Sequence, residues 1–162
     1  MEMRSEKEQR RILALDLGTN TGWATNAFAS GSREFSGEIT GWRYLAFKQW
    51  LVSMLSDSKI QHVVYEETFS GRNMNADKVL HGFLAILQCV HAERYSDQAT
   101  RFTLQKVHLS DIKILATGKG NAKKDEMIKS FEDRFGWSPV DSDECDAVWL
   151  LQYALQKEKE TK

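Results

Sequence analysis

Apolar and polar positions along the chain alternate in two distinct rhythms. Residues 11–17 (RILALDL) form a short apolar run that ends in a carboxylate, the pattern of a strand buried on both faces. Residues 22–29 and 33–39 flank a Gly31-Ser32 turn signal and read as the other arms of a meander. Residues 42–56 then shift to helical spacing, with Trp42, Leu45, Ala46, Trp50 and Leu51 on one stripe and Val52 and Leu55 extending it. Residues 60–66 (IQHVVYE) form a fourth apolar strand that again finishes in carboxylates. A polar loop over 68–74 leads into a long helix predicted from Ala76 to Tyr95. Its apolar positions Val79, Leu80, Phe83, Leu84, Ile86, Leu87 and Val90 cover more than one stripe. An arc that wide predicts two hidden sides, one of them against a second subunit.

Residues 101–107 alternate as a fifth strand. Ser110 is the expected N-cap of a short helix ending at Gly118, and Asn121 that of a helix near 123–135. A last helix is predicted from Ser142 to Lys157, with acids in its first turn where the helix dipole favours them. Three strands, a helix, a strand, a helix, a strand and then helices predict an α/β fold: a mixed sheet of five strands flanked by helices. The 162 residues suit one domain, expected over 11–158 after a charged tail at 1–10.

Charge changes the picture only when it is resolved along the chain. The net charge of −1 excludes a protein that grips nucleic acid by bulk charge. Within it, residues 101–124 hold six basic groups and one acid, while residues 125–162 hold five basic groups and ten acids. A +5 segment thus runs into a −5 segment. No stretch approaches 18 apolar residues and the N-terminus lacks an apolar run, so the expectation is a cytoplasmic protein without membrane contact. The two cysteines, Cys89 and Cys145, lie far apart, and the four histidines make no HExxH, so no zinc site or disulfide framework is expected.

The candidate chemistry lies in acids set beside apolar sequence. Asp16 ends the first strand, Glu66 and Glu67 end the fourth, and Asp143 and Asp146 open the last helix. Their i,i+3 spacing puts Asp143 and Asp146 on one helical face. Strand alternation sends Glu66 and Glu67 to opposite sides, so only one joins a shared site. Two unit charges about 4 Å apart repel by roughly 4 kcal/mol at an effective dielectric near 20. Four converging carboxylates therefore call for protonation or for cations. An all-oxygen ligand set favours Mg²⁺, or Mn²⁺, over zinc, and two such ions would cancel four charges and suit displacement at a phosphodiester. Lys119, Lys123 and Lys124, with Arg72 and Lys113, are the expected phosphate contacts near these acids.

At these residues the sequence resembles a known family. ILALDLGTNTGWA is similar to the first-strand motif of RuvC-type nucleases in the ribonuclease H-like superfamily, which includes the RuvC-like domains of CRISPR effector nucleases. VVYEETF resembles that family's second carboxylate strand, GKGNAKKDEM its glycine- and lysine-containing segment, and DECDAVWLL its C-terminal D-x-x-D-A helix. The resemblance spans residues 11–155 and implies a ribonuclease H-like fold, with Asp16, Glu66, Asp143 and Asp146 as the metal-binding acids. It implies that Lys124 sits near the scissile phosphate, and that Phe69 is an aromatic inserted at a DNA junction. It further implies a homodimer that cuts opposed strands of a four-way (Holliday) junction and leaves 5′-phosphate and 3′-hydroxyl ends. The compact chain looks more like a resolvase, phage-encoded versions included, than an effector nuclease.

Three other readings are weighed against this one. LDLGTNTG also resembles the first phosphate motif of actin-like and sugar-kinase-like ATPases, but those need a second such domain, and GKGNAKK satisfies neither GxxxxGK[ST] nor GxGxxG. A ribonuclease H-like nuclease acting on other branched DNA or on RNA–DNA hybrids is the nearer enzyme alternative. A junction-binding module with an inert site is the non-enzyme one, disfavoured because all four acids are present.

Overall fold

The computed structural model describes residues 9–27, 29–67 and 74–161. Strands β1 (Ile12–Asp16), β2 (Asn20–Thr25) and β3 (Ala29–Glu34) form an antiparallel meander. Helix α1 (Thr40–Asp57) leads to β4 (His62–Glu66), which pairs in parallel with β1. Helix α2 (Met74–Arg94) leads to β5 (Thr103–Val107), parallel to β4. Helices α3 (Leu109–Thr117), α4 (Lys124–Phe135) and α5 (Ser142–Glu160) complete the chain. The sheet order is β3-β2-β1-β4-β5, the five-stranded mixed sheet that the sequence predicts.

Alternation along β1 and β4 divides the core in two. Ile12, Ala14 and Val64 face α3, α4 and α5 in a cluster with Ile112, Phe131 and Leu150. Leu13, Leu15 and Val63 face α1 and α2 in a cluster with Phe47, Leu51, Phe83 and Leu87. Rings pack at the centre of this second cluster, with Phe47 and Phe83 centroids 4.6 Å apart. Each such side chain, fully withdrawn from water, contributes roughly 1.5–3 kcal/mol. On α2 the wide apolar arc resolves into one buried stripe, Phe83, Leu87 and Val90. Val79, Leu80, Leu84 and Ile86 are half-buried flanks of the same cluster.

Local chemistry moves three of the expected boundaries. The meander turns between Thr25 and Ala29, not at Gly31-Ser32, which pair inside β3 with Trp23 and Gly22. Asn26 makes the turn by accepting from the Ile12 N–H at 2.8 Å and donating to the Arg10 carbonyl at 2.7 Å. Gly31 is small because the Trp23 indole lies over it; a Cβ there would come within 3.2 Å of the ring. Helix α3 is capped at His108, whose carbonyl accepts from the N–H groups of Asp111 and Ile112, so Ser110 lies in its first turn. Helix α4 is capped at Lys123 and not at Asn121, because Ala122 is drawn into the core and Glu126 accepts the Lys123 N–H at 2.8 Å. No helix among the described residues is long and apolar enough to cross a membrane.

Candidate metal centre

Parallel β1 and β4 end side by side, and their alternation decides which acids meet. Asp16 follows Ile12 and Ala14 onto the α5 side, and Glu66 follows Val64 there. Helix α5 crosses β1 and β2 with its N-terminus at the same end of the sheet. That approach requires Gly22: a Cβ at this position would lie 1.9 Å from the Asp143 carbonyl oxygen. Asp146, one turn into α5, then completes a triad in which carboxylate oxygens of Asp16, Glu66 and Asp146 all lie within 4.8 Å of one another.

The electrostatics of the triad are unfavourable without a cation. Burial, followed by the charges of Glu66, Asp146 and Asp143, raises the Asp16 carboxyl well above its usual range, with Lys124 opposing. Burial and the Asp146 charge push Glu66 up to about 7, against the pull of Lys113 and with a smaller push from Asp143. Burial and the Asp143 charge push Asp146 up to about 6, with Lys124 and Lys113 opposing. Burial and a like charge both penalise ionisation, so each of the three is harder to ionise than an isolated carboxyl. A hard divalent cation would remove that penalty, and a set of carboxylate oxygens fits Mg²⁺ or Mn²⁺ by donor chemistry.

Asp143 stands beside the triad, one turn before Asp146. Its Oδ2 accepts from Asn20 Nδ2 at 2.6 Å, and the same amide donates to Asp141 Oδ2 at 3.0 Å. Asp141 is the N-cap of α5, accepting from the N–H groups of Asp143 at 3.1 Å and Glu144 at 2.9 Å. Burial disfavours the charge of Asp141. Bonds from the Ser32 hydroxyl, the Glu144 N–H, Asn20 and the Asp143 N–H outweigh it and keep this carboxyl below its usual range. Glu144 is buried and turned away, accepting from Ser30 Oγ and the Val140 N–H, both at 2.7 Å. Asn20, Ser32 and Asp141 thus fasten the start of α5 to β2 and β3. Sequence reasoning missed all three. A signal existed for Asp141 alone, an Asp followed three residues later by Glu before an apolar run.

Glu67 leaves on the other side of the sheet, as alternation predicts. It pairs with Lys106 at 2.5 Å and with His108, and the Lys106 hydrogen bond, then the charges of His108 and Lys106, hold it below its usual range. Cys145, between the α5 acids, is fully buried, and its thiol is pushed up to about 12 by burial first and then by Asp146 and Glu144. It packs as an apolar residue.

The expected cations divide into two groups. Lys124 and Lys113 are close enough for their charges to act on the triad, and Lys124 Nζ lies 3.4 Å from Ser142 Oγ. Lys119 is exposed and paired with Glu126 at 3.1 Å, and Lys123 is exposed at the start of α4. Phe69 and Arg72 lie outside the described residues.

No protein-family model matches the chain, and no curated protein matches it. Solved structures do. Thermus thermophilus RuvC, in complex with a Holliday junction substrate, superposes with a TM-score of 0.75 at 18% identity, over 94% of this chain and 98% of that one. A second Thermus thermophilus RuvC structure gives 0.70 at 18% identity, over the same shares of the two chains. Ydc2, the yeast mitochondrial Holliday junction resolvase, gives 0.59 at 10% identity, over 87% of this chain and 75% of that one. At these identities the likeness is one of fold: this chain has the ribonuclease H-like fold of the RuvC resolvases.

Proposed function

We propose that this chain is a divalent-metal-dependent endodeoxyribonuclease that resolves four-way DNA junctions. The observation that carries the reading is the triad of Asp16, Glu66 and Asp146, three mutually repelling carboxylates at one end of the sheet. It is supported by the fold, which in Thermus thermophilus RuvC is found on a Holliday junction.

In this reading Asp16, Glu66, Asp143 and Asp146 hold two Mg²⁺ or Mn²⁺ ions. When bound, the ions supply an activated water and a counter-charge for the leaving oxygen. The chain's own residues do the rest. In the hydrolysis a water gives up one proton to solvent as its oxygen bonds to phosphorus, the P–O3′ bond breaks, and O3′ takes up a proton, so the products carry a 5′-phosphate and a 3′-hydroxyl. The Lys124 ammonium offsets negative charge that develops on the phosphoryl oxygens. Asn20 keeps the Asp143 carboxylate in one orientation, and the Asp141 cap fixes the helix that carries Asp143 and Asp146. Lys113, Lys119 and Lys123 contact backbone phosphates, a task that needs charge without base reading. Phe69 and Arg72 belong to the same DNA contact in this proposal, and α2 forms the homodimer that presents two such sites to opposed strands.

A cleavage panel of four-way, three-way, flap and linear DNA, with Mg²⁺ and with EDTA, tests the reading. Metal-dependent symmetrical cutting of the four-way junction is expected. Intact junction binding without cutting at any Mg²⁺ or Mn²⁺ concentration would identify an inert binding module. Cutting confined to other branches or to RNA–DNA hybrids would identify a nuclease of different substrate.

A further inference from the structure

The strongest unexplained feature lies at the opposite end of the sheet. A cleft of about 840 Å³ opens where β4 and β5 begin, between the end of α1 and the end of α2. From Gln61 to Glu66 the strand rises about 17 Å at ~3.3 Å per residue, so the cleft is remote from the carboxylates. Among the described residues its walls carry Arg10, Lys59, Arg94 and Arg101 and no acidic side chain. Two of these cations have acidic company: Arg10 lies 3.7 Å from Glu158, and Arg94 faces Asp97. Lys59 and Arg101 make no ion pair among the described residues. The nearby Glu93 is occupied by Lys48 at 2.9 Å.

Lys59 carries a second signal. Helices α3 and α4 both end on a glycine in the left-handed region, Gly118 at φ 78° and Gly136 at φ 74°. The residue that takes this conformation after α1 is Lys59, at φ 49°, the only non-glycine with positive φ among the described residues. Glycine is the cheaper choice for that backbone, so a lysine there carries a conformational cost. One wall of the cleft is aromatic. Phe102 is buried at its base, His91 packs edge-on against it at 5.2 Å, and Tyr95 stands outermost, 72% exposed.

We infer that this cleft binds a single nucleic-acid strand, its phosphates on Lys59 and Arg101 and a base on the Tyr95 ring. Uncompensated cations beside an exposed aromatic ring are the combination that tracks a single strand without reading its sequence. The volume admits a few nucleotides and not a duplex. A strand held there would lie about 17 Å from the carboxylate end of the sheet. The inference does not rest on the cleavage reading, since it needs neither metal nor turnover.

The test is fluorescence anisotropy of a labelled oligo-dT of about 12 residues on the full chain in EDTA, across a salt series. For Lys59→Glu/Arg101→Glu, affinity is expected to fall at least about tenfold and the salt slope by about 1.4, the value for two single-strand phosphate contacts. Lys129→Glu/Arg134→Glu, two exposed cations of α4 outside both the cleft and the carboxylate site, is the charge-matched comparison and is expected to leave oligo-dT affinity within about twofold; an equal loss there would overturn the inference. Tyr95→Ala is expected to cost about tenfold in affinity. Lys59→Gly separates binding from folding: it should melt no lower than the parent yet hold the strand more weakly. Unchanged affinity and slope in the folded double variant would overturn the inference. So would full displacement of the oligonucleotide by dTMP or inorganic phosphate at equal phosphate concentration, which would mark a small-anion site.

Discussion

Glu66 and Glu67 leave β4 on opposite sides of the sheet, and the two sides treat a carboxylate in opposite ways. On the α5 side Glu66 meets Asp16 and Asp146, and burial with like charge pushes it up to about 7. On the other side Glu67 meets Lys106 and His108 and is held below its usual range. One residue of sequence separates an acid whose neighbours satisfy it from one whose neighbours oppose it. A cation among Asp16, Glu66 and Asp146 would relieve the second arrangement, and three carboxylate oxygens within 4.8 Å of one another could hold one. The largest test of the contrast removes the acid that ends β1. Asp16→Asn keeps the shape and deletes a ligand, so junction cleavage should fall on the order of a thousandfold or more. Its metal-free melting temperature should not fall, because the change relieves repulsion. Turnover near the parental rate would sink the assignment.

The next largest effect comes from a residue with no side chain. Gly22→Ala would place a methyl group 1.9 Å from the Asp143 carbonyl oxygen, so β2 and the start of α5 must separate. Such overpacking costs about 1–3 kcal/mol in thermal or denaturant unfolding. A shift of about 1 Å in Asp143 and Asp146 should cost roughly a hundredfold in cleavage. Parental activity in this variant would mean that α5 does not need its close approach to β2.

pH separates the two sides of β4 without a mutation. Glu66 and Asp146 titrate higher folded, at about 7 and about 6, than their ordinary values of 4.5 and 3.8. Between those limits the folded chain holds more protons than the unfolded chain, so stability falls as pH rises. In EDTA the melting temperature should therefore decline from about pH 4.5 to about pH 7.5, by on the order of 10 °C. Glu66→Gln should flatten that decline, and saturating Mg²⁺ should reverse it at neutral pH by binding the folded state. A melting temperature that rises through this window in EDTA would contradict the description of the triad. Asn20→Ala is expected to act more mildly, about 10–100-fold in Mg²⁺ dependence or rate, since it frees the Asp143 carboxylate without removing it.

How much of this the chain announces depends on the distance over which a residue acts. ILALDL and HVVYE are apolar runs that end in acids, and alternation alone assigns Asp16 and Glu66 to one side once the strands are parallel neighbours. The sheet and its five strands are legible for the same reason. The amide of Asn20 and its partner Asp143 are 123 residues apart, and nothing local marks a hydrogen bond between them. Gly31-Ser32 misleads because glycine serves turns and close packing equally, and here the Trp23 indole needs the room. The wide apolar arc of α2 is real in composition, and its flanks Val79, Leu80, Leu84 and Ile86 are only half covered by the cluster they border. Periodicity shows that a side wants cover and not what covers it.

The smallest expected effect is the sharpest check on the choice between the two glutamates. Glu67 is ringed by a lysine and a histidine that are more than half exposed, so water and salt screen the pairing and its contribution to stability is small. Its carboxyl titrates lower folded than unfolded. The stability it adds is therefore present above about pH 4.5 and lost as pH falls through the folded value, the reverse of Glu66. Glu67→Gln should cut junctions within about twofold of the parent, bind Mg²⁺ alike and leave the decline of stability above pH 4.5 in place. Glu66→Gln should lose cleavage and flatten that decline to the share that Asp146 carries. If the two variants were equally inactive, the second acid of the centre would not be Glu66 alone, and side-of-sheet alternation would have failed as a guide to which carboxylate faces the metal.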